Sequence, residues 1–115
     1  MNVEQARFNM IEQQIRPWEV LDSHVLDLLA AVRREDFVPA AHRQLAFADL
    51  QIPLKPGPQA VALGQVMLEP RVEARMLQDL RVGKHEKVLE VGTGSGFMAA
   101  LLGHQPTIKM VANLA

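Results

Sequence analysis

Apolar positions follow two rhythms along the chain: helical spacing up to about residue 80, then short runs of strand length. Phe8, Ile11 and Ile15 share one face at offsets of three and seven, with Glu4, Gln5, Glu12 and Gln13 elsewhere, which predicts an amphipathic helix over 3–15. Pro17 should end it nearby, because Arg16 before it is biased away from helical angles. Val25, Leu28, Leu29 and Val32 fall at i, i+3, i+4 and i+7, the cleanest stripe in the chain, and Asp22 or Ser23 can cap that second helix. Arg33 and Arg34 sit near its end, where positive charge suits the helix dipole, and read as solvated end charges. Pro39 opens a segment of one or two helical turns, Ala40 to Leu45. Phe37, Val38, Leu45 and Phe47 are assigned to the core.

Between Leu50 and Pro58, three prolines and a glycine in nine residues exclude a regular helix. This stretch reads as extended and looping, continuing through Gln59-Ala60-Val61-Ala62-Leu63 to Pro70. Pro70 suits the first position of a helix. Val72, Met76 and Leu80 repeat at four-residue spacing beside Leu77, with Gly83 as the stop. After a polar turn over 84–87, Val88 to Val91 is the first clear strand. It runs into Gly92-Thr93-Gly94-Ser95-Gly96 and a helical run from Phe97 to Leu102, closed by Gly103. Thr107 to Val111 reads as a second strand, making one parallel strand–helix–strand unit. The fold class is therefore α/β: an N-terminal helical region over 1–83, then the opening of a parallel sheet over 84–115.

The glycine turn carries the chemistry. Glycines let the backbone turn sharply and approach a ligand with no Cβ in the way, and the following helix start offers free N–H groups. Gly-x-Gly-x-Gly is not the Gly-x-Gly-x-x-Gly fingerprint of dinucleotide enzymes. Glu90, just before the turn, would repel a diphosphate but could accept hydrogen bonds from hydroxyls or an ammonium group. The ligand so indicated carries a sugar and an amino acid.

Composition narrows the alternatives. The chain has 115 residues, enough for one domain, and a formal net charge of −1, which gives no electrostatic case for nucleic acid or an anionic membrane surface. It has no cysteine, which excludes disulfides, thiolate catalysis and cysteine zinc sites. His24, His42, His85 and His104 lack metal-ligand spacing and read as surface residues, so no metal is expected. Trp18 reads as a packing or gating residue. No apolar run is long enough to span a bilayer and the first residues are polar, so the expectation is a cytoplasmic protein.

Four blocks then stand in a recognisable order: Met10-Ile11-Glu12-Gln13-Gln14-Ile15-Arg16-Pro17, Val32-Arg33-Arg34-Glu35-Asp36-Phe37-Val38-Pro39, Ala46-Phe47-Ala48-Asp49, and Val88 through Phe97. Together they resemble the protein-L-isoaspartate O-methyltransferase family. The resemblance implies a Rossmann-like sheet, S-adenosylmethionine as cofactor, and methyl transfer to isoaspartyl carboxyl groups of damaged proteins, a repair reaction. It carries the cofactor role onto Glu90, Gly92, Thr93, Gly94, Ser95 and Gly96. The sequence departs from the family at Gly64-Gln65-Val66-Met67-Leu68-Glu69-Pro70, where the family has Gly-Gln-Thr-Ile-Ser-Gln-Pro. Both hydroxyls are missing and Glu69 adds a charge, so no catalytic residue carries over. No acid follows Glu90, although one about twenty residues past the turn should hold the ribose hydroxyls. The expectation is weak or no transfer by this chain alone. The competing reading is a non-catalytic fragment or interaction module. Its incomplete sheet would pair through the free strand edge, with a copy of itself or with another chain.

Overall fold

The computed structural model describes residues 1–83, 85–104 and 109–113. Helix α1 (Val3–Met10) starts on Asn2, whose side-chain oxygen accepts from the Gln5 N–H at 3.1 Å. The helical path outlasts the expected end. It widens into a π-helical turn over Ile11–Ile15 and tightens into a 3₁₀ turn over Arg16–Trp18, before Glu19 turns left-handed at φ 62°. Arg16 keeps helical angles (φ −59°, ψ −41°) despite Pro17, because the widened turn makes room for the proline ring.

The buried face of this segment is Arg7, Met10, Ile11 and Ile15, whereas Phe8 is 59% exposed, against the expected stripe. Arg7 takes the inner position because Glu35 meets it there, with guanidinium-to-carboxylate bonds of 2.6 and 3.2 Å. The Phe47 ring lies 5.3 Å from the guanidinium carbon. Charge pairing has rotated the helix away from the face that hydrophobicity alone selects.

Helix α2 (Ser23–Ala31) follows its sequence pattern. Asp22 is the cap, accepting from the His24 and Val25 N–H groups, and Val25, Leu28, Leu29 and Val32 are buried together with Leu26. Short 3₁₀ turns over Arg34–Phe37 and Ala40–Leu45 come next. Val38 and Phe47 join the core and Phe37 packs against it, but Leu45 lies exposed at the rim.

Strand β1 (Ile52–Pro53) pairs antiparallel with β2 (Val66–Met67). Between them Gln59–Ala62 forms one helical turn, α3, in place of the expected extended chain. Pro58 precedes that turn, where a missing N–H costs nothing. Helix α4 (Pro70–Leu80) begins on Pro70 as the sequence predicts, but buries Pro70, Glu73, Ala74 and Leu77. Val72, Met76 and Leu80 face outward. A strict four-residue repeat drifts about 40° per step around a 3.6-residue helix, so it cannot hold one face, and Arg34 draws Glu73 inward. Gln78 ties α4 to the chain ahead of α2: its side-chain oxygen accepts from the Leu21 and Asp22 N–H groups, and its amide donates to the Glu19 carbonyl.

Helix α4 stops at Arg81, not at Gly83. Arg81 is left-handed at φ 50°, ψ 48°, a conformation that costs a residue with a Cβ about 1 kcal/mol. Arg81→Gly is therefore expected to raise unfolding stability by about 1 kcal/mol, read as a higher urea midpoint. An unchanged or lower midpoint would contradict the strain.

Strand β3 (Lys87–Val91), helix α5 (Phe97–Gly103) and strand β4 (Lys109–Asn113) complete the chain. The two strands are parallel, with Lys87 opposite Lys109 and Val91 opposite Asn113. The second strand thus runs two residues past its expected end, while Thr107 and Ile108 lie outside the described residues. Phe97, Leu101 and Leu102 of α5 join the same core as Met10, Ile15 and Leu29.

Candidate functional site

The loop between β3 and α5 turns on three left-handed glycines, Gly92 (φ 74°), Gly94 (φ 60°) and Gly96 (φ 84°). Each would strain a residue with a side chain. The Gly96 N–H donates to the Thr93 carbonyl at 3.1 Å, and the Ser95 hydroxyl accepts from the Phe97 N–H at 3.3 Å. The loop is thus folded back on the first turn of α5. A Cβ built on Gly94 would meet Leu54 at 3.3 Å, whereas one on Gly92 would project into open space.

That open space belongs to a cavity of about 250 Å³. One wall is Glu90, Val91, Gly92, Thr93, Gly94 and Ser95, with Met98 from α5; the other is Val66, Met67 and Leu68 from β2 and its end, with Glu73 and Met76 from α4. Of the six residues expected at a cofactor, five border this cavity. The sixth, Gly96, caps α5 behind it, where its Cβ position would lie 3.9 Å from Phe37. Val66 and Leu68, at the family's hydroxyl positions, face the glycine turn across the cavity.

Burial pushes the Glu90 carboxyl above the ordinary carboxylate range, and a hydrogen bond from the Thr93 side chain draws it part of the way back. Its Oε1 is buried without a hydrogen-bond partner. An acceptor left so at a cavity wall costs about 1–3 kcal/mol until a donor arrives. Facing it, burial pushes Glu73 up against the pull of Arg34, and Glu90 and Glu69 add to the rise.

Arg34 lies behind the second wall, 1% exposed, where the sequence suggests a solvated end charge. Its guanidinium donates to the Ala46 carbonyl at 2.7 Å, to Glu73 Oε1 at 2.9 Å and to the Leu68 carbonyl at 2.8 Å. It also sits 4.9 Å from the centre of the Phe97 ring. One side chain therefore holds the loop at 46, the end of β2, α4 and the start of α5. Its neighbour Arg33 is the exposed one, paired with Asp36 at 3.2 Å. Glu73, Met76, Met98 and Arg34 escape the sequence reading. The usable signal was Glu73, an acid inside the apolar 70/74/77 stripe, since a carboxylate is rarely buried without a cation.

Of the histidines, His24, His85 and His104 are exposed and His42 is half-buried, and no metal-binding cluster exists among the described residues. Trp18 stacks beneath Arg71, 4.4 Å from the guanidinium carbon. No helix among the described residues is long and apolar enough to cross a membrane.

Residues 5–112 match the family model for protein-L-isoaspartate(D-aspartate) O-methyltransferase. The chain is 41% identical over 97 residues to a protein-L-isoaspartate O-methyltransferase of Koribacter versatilis, covering 84% of this chain and 40% of the relative. It is 37% identical over 110 residues to the enzyme of that name from Rhodopseudomonas palustris, covering 92% and 47%. The fold superposes at TM-score 0.67 on a crystal structure described as a protein-L-isoaspartate O-methyltransferase beta-aspartate methyltransferase from Plasmodium falciparum, in complex with S-adenosyl-L-homocysteine. At 14% identity, across 97% of this chain and 48% of that one, this is likeness of fold. The chain spans less than half the length of the relatives it matches. The glycine turn, the blocks around it and the match over 5–112 agree: this chain belongs to the protein-L-isoaspartate(D-aspartate) O-methyltransferase family.

Proposed function

We propose that the chain carries the motif half of an S-adenosylmethionine site, built on Glu90, Gly92, Thr93, Gly94, Ser95 and Gly96, for methyl transfer to isoaspartyl carboxyl groups in damaged proteins. The observation that carries this reading is the buried, unpartnered Glu90 Oε1 beside the open Cβ side of Gly92. It is an acceptor fit for an ammonium or hydroxyl group, next to backbone a ligand can approach closely. The cofactor supplies an already activated methyl, so the protein's part is to bind it and align an acceptor. Here the acceptor side is poor. Val66 and Leu68 offer no hydroxyl, and Glu69, Glu73 and Glu90 disfavour an incoming carboxylate. By itself the chain binds ligand and transfers methyl weakly or not at all. A cavity of about 250 Å³, below the roughly 300–1,000 Å³ of a complete small-molecule site, agrees with half a pocket. As part of the same proposal, the protein works in the cytoplasm.

Calorimetric titration with S-adenosylhomocysteine tests this. The expected result is measurable heat at millimolar ligand, and no heat there would sink the cofactor reading. Glu90→Gln should weaken that binding about tenfold or more, the worth of a hydrogen bond to a charged group, while raising the unliganded melting temperature. The sign follows from the raised pKa. The folded chain holds more protons than the unfolded one between the ordinary glutamate pKa of about 4.3 and the higher folded value. Stability therefore falls as pH rises through that window, and the full penalty applies above the folded pKa. Glutamine removes the Glu90 share of that slope; a variant whose stability falls with pH through that window as steeply as the wild type's would contradict the assignment.

A further inference from the structure

Where α2, α4 and α5 meet, they enclose a cavity of about 60 Å³. Val25 and Leu28 of α2, Leu77 of α4, and Leu101 and Leu102 of α5 line its floor, and each is 6% exposed or less. The mouth is polar, with Asp22, His24, Gln78 and Arg81 around it. Asp22, Gln78, Arg81 and Val82 also border a wider open basin, which Asp79 joins. None of these residues borders the glycine-turn cavity. Gln78 is a fixed wall, held by its bonds to Leu21, Asp22 and Glu19.

Two charges at the mouth are uncommitted. Arg81 holds a left-handed backbone that glycine would take more cheaply, and its guanidinium has no hydrogen bond or ion pair among the described residues. Residues held in such strain cluster at ligand clamps. Asp22 caps α2 through Oδ1, and its second carboxylate oxygen accepts no bond among the described residues.

We infer that this cavity is a binding site for a free α-amino acid with a small aliphatic side chain, the size of L-2-aminobutyrate. The Arg81 fork pairs with the ligand carboxylate, the free oxygen of Asp22 takes its ammonium, and the apolar floor takes its side chain. Each charge at the mouth also rejects a wrong ligand: Asp22 and Asp79 repel a simple carboxylate, and Arg81 repels a simple amine. Volume sets the side chain. Apolar cavities of about 150 Å³ take benzene, about 25 Å³ per carbon, so this one has room for an ethyl group.

The test is titration of the whole chain, carrying carbon-13 labels on its leucine and valine methyl groups, with L-2-aminobutyrate. Saturable shifts are expected at Val25, Leu28, Leu77, Leu101 and Leu102, half complete at millimolar ligand, as suits so small a molecule. Glycine, which lacks the side chain, and butyrate, which lacks the ammonium, should each bind about tenfold or more weakly. Arg81→Gly should weaken L-2-aminobutyrate by about as much although its urea midpoint rises, so lost binding there is not lost folding. Val25→Ile puts one more carbon into the cavity and should turn the preference from L-2-aminobutyrate to L-alanine. Any of four results overturns the inference: no shift at tens of millimolar, glycine or butyrate bound as tightly, wild-type affinity in Arg81→Gly, or an unchanged preference in Val25→Ile. Because the two cavities share no residue, failure here leaves the cofactor reading standing.

Discussion

Replacing Arg34 by methionine is expected to cost about 3–5 kcal/mol of unfolding stability, a large part of the roughly 5–15 kcal/mol a domain has. The substitution fits the volume but removes the cation. Glu73 is left buried without its partner, and the Ala46 and Leu68 carbonyls lose their donor. The double variant Arg34→Met with Glu73→Leu should recover much of that loss, since a buried ion pair replaced on both sides by apolar groups is often neutral or better. Recovery stays incomplete, because the two carbonyls still lack a donor, at about 1–3 kcal/mol each. Arg34→Lys should fall between: it keeps the charge but cannot reach three acceptors in a planar fork. Urea titration of all four proteins measures the series. A single methionine variant as stable as wild type would remove Arg34 from the centre of this structure.

The second large effect is at Phe97, expected to lose about 3–5 kcal/mol on replacement by alanine. The ring is 1% exposed, meets Phe37 at 5.6 Å between centroids with the planes at 58°, and carries the Arg34 guanidinium on its face. It also follows Gly96 directly, at the first position of α5. The cavity left by alanine therefore opens beneath the glycine turn, and S-adenosylhomocysteine binding should weaken along with stability. Phe97→Leu, which keeps most of the volume, should lose clearly less on both measures. Equal losses for alanine and leucine would show that aromatic geometry, not filled volume, holds the turn.

Where local chemistry and burial agree, the structure can be read from the sequence. Val25, Leu28, Leu29 and Val32 form α2 as their spacing demands, and the glycines place the β3–α5 turn because no other residue takes three left-handed positions so cheaply. Reading fails where a distant charge chooses the buried face. Phe8 yields to Arg7 because Glu35 lies 28 residues on. Met76 yields to Glu73 because Arg34 lies 39 residues back. Hydrophobic spacing contains no sign of either partner. At the site, Glu90 and the glycines were legible as a motif. The opposite wall was not, since the four-residue spacing of Val72, Met76 and Leu80 suggested a core stripe and concealed that Met76 faces a cavity.

The Arg34–Glu73 pair also sets an order of events during synthesis. Arg7 and Glu35 can meet once the first few dozen residues have left the ribosome, but Arg34 must wait 39 residues for its carboxylate. At about 5–20 residues per second this is roughly 2 to 8 seconds. Throughout that interval a cation destined for the interior stays in water, beside a helix whose apolar stripe is already complete. Gln78, whose partners lie 56 to 59 residues earlier, arrives last. The helical half of the chain therefore closes last at its C-terminal end. Until α4 emerges, the exposed face of α2 is the surface that a chaperone would hold.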